Sequence, residues 1–198
     1  TDLGQYSINP QGLQVQFNPS KMQHLYHLSG TGKAFDESIK AIKEDLHKSG
    51  IGCNLEEMSL SRIDLCNQEQ MSHQVGSYLD VFKMFKQKRL KNTKEHPSSY
   101  LVGNKQWQTC AYDKLQELKD FKLHSLIEGE NNLLRIENRW LQTKEVKRTL
   151  PFDTIHKLCD TTNDELQSIY SKHLQNRTFN KNYSSVQMKL DFHRSEER

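Results

Sequence analysis

Between Leu133 and Leu141 apolar and charged residues alternate, Leu134 and Ile136 with Arg135, Glu137 and Arg139, and only an extended strand sorts residues two apart onto opposite faces. A strand oily on one face and charged on the other needs a core on the first face only. The segment therefore predicts an antiparallel sheet covered by helices on one side. The same sorting recurs upstream. In Ser61-Arg62-Ile63-Asp64-Leu65, Ile63 and Leu65 point inward while Arg62 and Asp64 share the outer face; in Gln108-Thr109-Cys110-Ala111-Tyr112, Tyr112 shares a face with Cys110 and Gln108.

Around these strands the order of elements reads β-α-β-α-β-β-β. Gly12 to Phe17 alternates as a half-buried strand, and Asn18-Pro19 stops it. Phe35, Ile39, Ile42 and Leu46 recur at helical steps to an end near Gly50, a second strand runs from about Met58 to Cys66, and a second helix from about His73 to Lys88. Ser99–Val102 and Trp107–Asp113 read as two short strands, with Gly103-Asn104 suited to a tight hairpin. Beyond Pro151 the periodicity is helical, with Thr162-x-x-Glu165 as a capping box, and the residues after Asn176 read as a polar tail. The fold expected is α+β, with an antiparallel-rich sheet and helices on one face. The division expected is a sheet domain over residues 1–148 and a helical extension with tail over 149–198.

Composition removes several classes of function. No run approaches the roughly 20 apolar residues of a membrane span, so no membrane partner is expected. Thr1 is neither an initiator Met nor the start of a signal-peptide pattern, which reads as a fragment. The 4 Cys are scattered and predict reduced thiols in an intracellular setting. There is no CxxC pair and no HExxH helix, which leaves zinc unsupported; Gly30-Thr31-Gly32-Lys33 lacks the first glycine and the final Ser/Thr of a phosphate loop.

Strands are normally poor in acids, so an Arg-x-Asp on one and an Arg-x-Glu-x-Arg on another need a reason. Carboxylates converging on one face repel unless a cation lies between them, and Mg²⁺ or Mn²⁺ takes oxygen ligands of this kind while flanking arginines hold phosphates. Lys83, Lys86, Lys88, Arg89, Lys91 and Lys94 form a basic run without an acid, fit for a phosphate backbone and equally for a solvated helix end. Lys105, Trp107 and Tyr112 in the following hairpin add a phosphate contact and stacking surfaces.

Four blocks in order resemble the replication initiators of the filamentous-phage gene II type, relatives of plasmid rolling-circle initiators and more distantly of HUH nucleases. They are Phe17-Asn18-Pro19-Ser20-Lys21-Met22, Ser61-Arg62-Ile63-Asp64, Ala111-Tyr112-Asp113-Lys114-Leu115-Gln116-Glu117-Leu118 and Leu134-Arg135-Ile136-Glu137-Asn138-Arg139. The resemblance implies a sequence-specific DNA nickase and ligase at a replication origin. Tyr112 would be the nucleophile, leaving a 5′-phosphotyrosine and a free 3′-hydroxyl. Asp64, Glu137 and Glu117 would hold or support the divalent metal, and Arg62, Lys105, Trp107, Arg135, Arg139, Lys86, Lys88 and Arg89 would meet the DNA. Lys114 either shares the strand face of Tyr112, lowering its pKa or steadying the leaving oxygen, or begins a helix in which it neighbours Glu117. Single-stranded or origin DNA is then the partner, with a host helicase and polymerase, in the cytoplasm of a bacterial host. The paired metal-binding histidines of the wider HUH group have no counterpart; Gln14 and Gln16 stand on the corresponding strand. Two other readings stay open: a single-strand-binding sheet that stacks bases without chemistry, and a partner-binding domain with merely solvated charges.

Overall fold

A computed structural model describes residues 4–10, 12–19, 33–84, 94–120 and 131–178. Strands β1 (Gln5–Asn9) and β2 (Gly12–Gln16) form an antiparallel hairpin, followed by helix α1 (Lys33–Lys48). Then come β3 (Ile63–Gln70), α2 (Val75–Met84), β4 (Lys94–His96), β5 (Ser99–Gly103), β6 (Trp107–Asp113), α3 (Lys114–Asp120) and β7 (Leu133–Trp140). Helices α4 (Thr143–Thr149), α5 (Ile155–Cys159) and α6 (Asn163–His173) follow, and a last, wider helical turn over Leu174–Thr178 closes the described chain. The main sheet has five strands in the order β3-β7-β6-β5-β4, every neighbouring pair antiparallel. The α+β class with an antiparallel sheet is as the alternation predicts.

Each apolar periodicity finds its core. Ile39, Ile42 and Leu46 of α1 are buried against Leu55 and Ile155, with Tyr6, Leu13 and Val15 of the hairpin packed alongside. The helix ends where Gly50 takes a φ of +73°, and the Ile51 amide donates to the Leu46 carbonyl at 2.9 Å, a Schellman closure that relieves an orphan carbonyl. Val75, Leu79 and Phe82 of α2 lie with Tyr170 of α6 against Tyr100, Val102, Ala111, Leu134 and Ile136 on the inner face of the sheet.

Two local expectations change, and a third lies partly outside the described residues. The strand expected over Met58–Cys66 begins only at Ile63, because the Leu60 amide donates to Asp153 and Ser59 forms an isolated bridge with Thr154. The β5–β6 turn has Lys105 and Gln106 at its tip rather than Gly103-Asn104. Asn104 turns the chain with its side chain, whose Oδ1 accepts from the amides of Gln106 (2.7 Å) and Trp107 (3.0 Å). Gly103 stands just before it at a φ of +155°, where a Cβ would lie 2.4 Å from the Trp107 carbonyl oxygen. The second helix is described to Met84, and its expected last turn lies outside the described residues.

The helices after residue 149 share cores with the sheet. Phe152 packs with Trp140, Ile155 lies under α1, and Tyr170 sits in the main core. Asn138 of β7 donates to the Tyr170 carbonyl at 3.1 Å and accepts from the Thr109 hydroxyl at 2.8 Å. The predicted capping box of α6 is present: Thr162 accepts from the Glu165 amide, and the Glu165 carboxylate accepts from the Thr162 amide.

At the end of α6 the His173 ring packs tilted against Trp140, centroids 4.4 Å apart, and meets Trp107 edge-on at 5.5 Å. Burial and the nearby Arg177 guanidinium push its imidazole from 6.5 down to about 4, with Glu145 opposing. The unfolded chain therefore takes up a proton at a pH where the folded one does not, so stability falls as pH drops from about 6.5 towards about 4. Urea unfolding is expected to show a loss on the order of 2 kcal/mol between about pH 7 and about pH 5 that the His173→Gln variant lacks. Equal losses in both proteins would contradict a buried neutral His173.

Candidate active site

Register decides what the outer face holds. β7 runs between β3 and β6, with Glu137 opposite Cys66 on one side and Cys110 on the other, Arg139 opposite Asp64 and Gln108, and Arg135 opposite Gln68 and Tyr112. Side chains on that face meet across three strands. The Tyr112 hydroxyl donates to Oε1 of Glu137 at 2.7 Å, and Nε of Arg135 donates to the same oxygen at 3.1 Å. Oε2 of Glu137 accepts from Nε and Nη2 of Arg139 at 3.0 and 2.6 Å. Nε of Arg139 also lies 3.7 Å from Oδ2 of Asp64, whose two oxygens accept a fork from Arg62 at 2.9 and 2.6 Å. Nη2 of Arg135 reaches Cys66 Sγ at 3.1 Å.

The chain therefore gathers Tyr112, Arg135, Glu137, Arg139, Asp64 and Arg62 into one continuous network. β6 ends at Asp113 and α3 starts at Lys114, which settles the choice left open by the sequence: Lys114 and Glu117 pair one turn apart. The Lys114 ammonium stands 6.0 Å from the centre of the Tyr112 ring.

The electrostatics follow from burial. Burial opposes ionisation of Glu137, but the guanidiniums of Arg139 and Arg135 and the Tyr112 hydroxyl outweigh it, so its carboxyl lies below the usual range. Tyr112 moves the other way: burial first, then the Glu137 charge, hold its hydroxyl above the ordinary value of 10.0, against the pull of Arg135. At rest the tyrosine is neutral and the glutamate charged. Burial lifts the Cys110 thiol to about 11, which keeps it uncharged beside them.

The expected metal ligands divide. Asp64 and Glu137 both reach one cationic partner, Arg139, so a single guanidinium stands between the two carboxylates. Glu117 does not join them but is bound to Lys114. Among the described residues no group of three or more His, Cys, Asp or Glu side chains is arranged to hold a metal ion.

The expected DNA contacts divide too. Arg62, Arg135 and Arg139 are in the network. Trp107 lies on the inner face, 6% exposed, beneath the Arg177 guanidinium 5.4 Å from its ring centre and against the edge of His173, so it offers no surface to a base. Odd and even positions of β6 face opposite ways, and Trp107 and Tyr112 differ by five. Lys105 is exposed at the far end of β6 from Tyr112. Lys86, Lys88 and Arg89 lie outside the described residues. Sequence reasoning missed Cys66 as an arginine partner, because the pairing of β3 with β7 is what brings it there. Compared with family models, curated proteins and solved structures, the chain matches none.

Glu137 is the hub, its side chain 12% exposed. Replacing it with Gln leaves Arg135 and Arg139 partly buried without their counter-charge, which typically costs about 3–5 kcal/mol. Chemical unfolding of Glu137→Gln is expected to show a loss of that order; a change under about 1 kcal/mol would mean that the network is not coupled.

Proposed function

We propose that the protein is a rolling-circle replication initiator of the kind the four sequence blocks resemble, nicking and rejoining one DNA strand through Tyr112. The observation that carries this reading is the hydrogen bond from the Tyr112 hydroxyl to a buried carboxylate on a sheet face lined by three arginines. A strand tyrosine that only packs its ring has no need of such company. The antiparallel sheet with helices on one face supports a relation to the HUH nucleases at the level of architecture.

The chemistry follows from the placement. The Tyr112 oxygen attacks a backbone phosphorus, the bond to the 3′-oxygen breaks, and a phosphotyrosine ester forms. The proton of Tyr112 passes to Glu137, which already accepts its hydrogen bond, and the departing 3′-oxygen takes a proton from water. Guanidinium charge on this face, with Arg135 remaining bound to Glu137, neutralises the charge that gathers on the phosphoryl oxygens. A divalent cation, where Asp64 and Glu137 hold one, would add Lewis-acid polarisation of the same phosphate, and the Tyr112 proton would then pass to water instead of Glu137. Rejoining is the reverse, a 3′-hydroxyl attacking the ester, so no external energy source is needed.

In this reading the free 3′-hydroxyl serves a host polymerase, a helicase opens the duplex, and the work is done in the cytoplasm of a bacterial host. Among the described residues no helix is long and apolar enough to cross a membrane. The rival reading, a sheet that stacks single strands without chemistry, is weakened by the burial of Trp107.

Incubation with origin-bearing single-stranded DNA and Mn²⁺ is expected to give a covalent protein–DNA band on denaturing gels. The Tyr112→Phe protein should lose that band completely while keeping its affinity for the strand within about threefold, since one hydroxyl adds little to backbone binding. An adduct formed by Tyr112→Phe would overturn the assignment.

A further inference from the structure

The three arginines of the network are not held alike. Arg62 lies bidentate on Asp64, its fork already matched to two oxygens. Arg135 is fixed at both ends, Nε on Glu137 and Nη2 on Cys66, with a side chain only 9% exposed. Arg139 differs. Both of its bonding nitrogens converge on the single oxygen Oε2 of Glu137, its side chain is 23% exposed, and Asp64 stands at the longer distance of 3.7 Å.

A guanidinium presents parallel N–H donors, and its best acceptor is a group offering two oxygens side by side. One carboxylate oxygen uses that fork poorly. The two non-bridging oxygens of a phosphodiester use it fully. Position agrees with shape: Tyr112 bonds Oε1 of the carboxylate whose Oε2 holds Arg139, so a phosphate taken up by that fork lies one carboxylate away from the attacking hydroxyl.

Resting on the nickase reading, we infer that Arg139 is an exchangeable guanidinium that leaves Glu137 for the non-bridging oxygens of the scissile phosphodiester, while Arg135 stays on Glu137 as a positioning residue. Without substrate Arg139 keeps Asp64 and Glu137 from repelling each other; with substrate the phosphate takes over its fork. No covalent bond changes in the exchange. Because Arg139 and Tyr112 are both joined to Glu137, capture of the phosphate and alignment of the nucleophile are parts of one event.

The test uses the full chain carrying Tyr112→Phe, so that no adduct forms, and a fluorescein-labelled single-stranded DNA of mixed sequence, with anisotropy read across a series of salt concentrations. Adding Arg139→Gln is expected to weaken binding about tenfold and to flatten the log–log salt dependence by about 0.7, the value of one phosphate contact on a single strand. Arg139→Lys should keep the slope and recover only part of the affinity, because an ammonium supplies the charge without the fork. Arg135→Gln should leave the slope unchanged. A slope unaltered by Arg139→Gln, full affinity in Arg139→Lys, an equal flattening by Arg135→Gln, or a parent protein without salt-dependent affinity would each overturn the inference. Should Arg139→Gln fail to fold by circular dichroism, Arg139→Lys decides alone. Failure of the nickase reading is seen separately, as a wild-type chain that binds the strand with the expected slopes and forms no adduct.

Discussion

The ionised carboxylate of Glu137 is the charge about which the outer face of the sheet is arranged. It lies on β7 between two neighbouring strands, almost out of water, where an unpaired carboxylate is too costly to persist. The protein meets that cost with two guanidiniums and a phenol. Each in turn brings further groups into place: Arg139 reaches towards Asp64, Arg135 to Cys66, and Tyr112 holds its ring beside Lys114. Buried ion pairs seldom add net stability over a well-packed apolar alternative. Their persistence on a face that could have been filled with Val or Ile argues for what the charges can do to a ligand.

The inner face of β7 explains why the hub can be rigid. Leu134 and Ile136 lie in the main core, Asn138 ties Thr109 to the Tyr170 carbonyl, and Trp140 carries the His173 ring and Phe152. These anchors come from α4, the following turn and α6. The segment beyond residue 149 thus acts as a clamp beneath the strand that bears Arg135, Glu137 and Arg139. Below Trp107 the clamp is finished by Arg177, whose guanidinium covers the indole and pairs with the buried Glu145 at 2.7 Å. Loosening that end would let β7 shift against β6, and the bond between Tyr112 and Glu137 spans that pair of strands.

Alternation made the faces of β6 and β7 legible in the sequence, because a side chain's face depends only on whether its position is odd or even once the strand is granted. Trp107 shows the limit of that reading: its position already set it opposite Tyr112, yet its aromatic character drew it into a stacking role. Helices α1 and α6 were legible from apolar steps and from Thr162 with Glu165. Strand order was not. β3 and β7 are separated by some 60 residues, and no local pattern records that Asp64 will lie opposite Arg139. The short β1, β4 and α4 carried too few apolar residues to show a period, and the start of β3 was displaced by pairing of residues 58–60 with 153–155 that only the folded chain supplies.

The opposed shifts of Tyr112 and Glu137 bear on how such a site would be controlled. On the proposed reading, a tyrosine held neutral by burial beside a carboxylate held ionised by arginines is quiescent: the proton has nowhere favourable to go while both guanidiniums remain. A phosphodiester taken up by Arg139 would change that balance. By drawing positive charge away from Glu137 it would make the carboxylate a better proton acceptor. The same bonds that keep the resting site silent towards water would then release it only for a correctly seated strand. That coupling requires one carboxylate shared between the proposed nucleophile and the proposed phosphate receptor, and Glu137 is the carboxylate to which Tyr112 and Arg139 both bond.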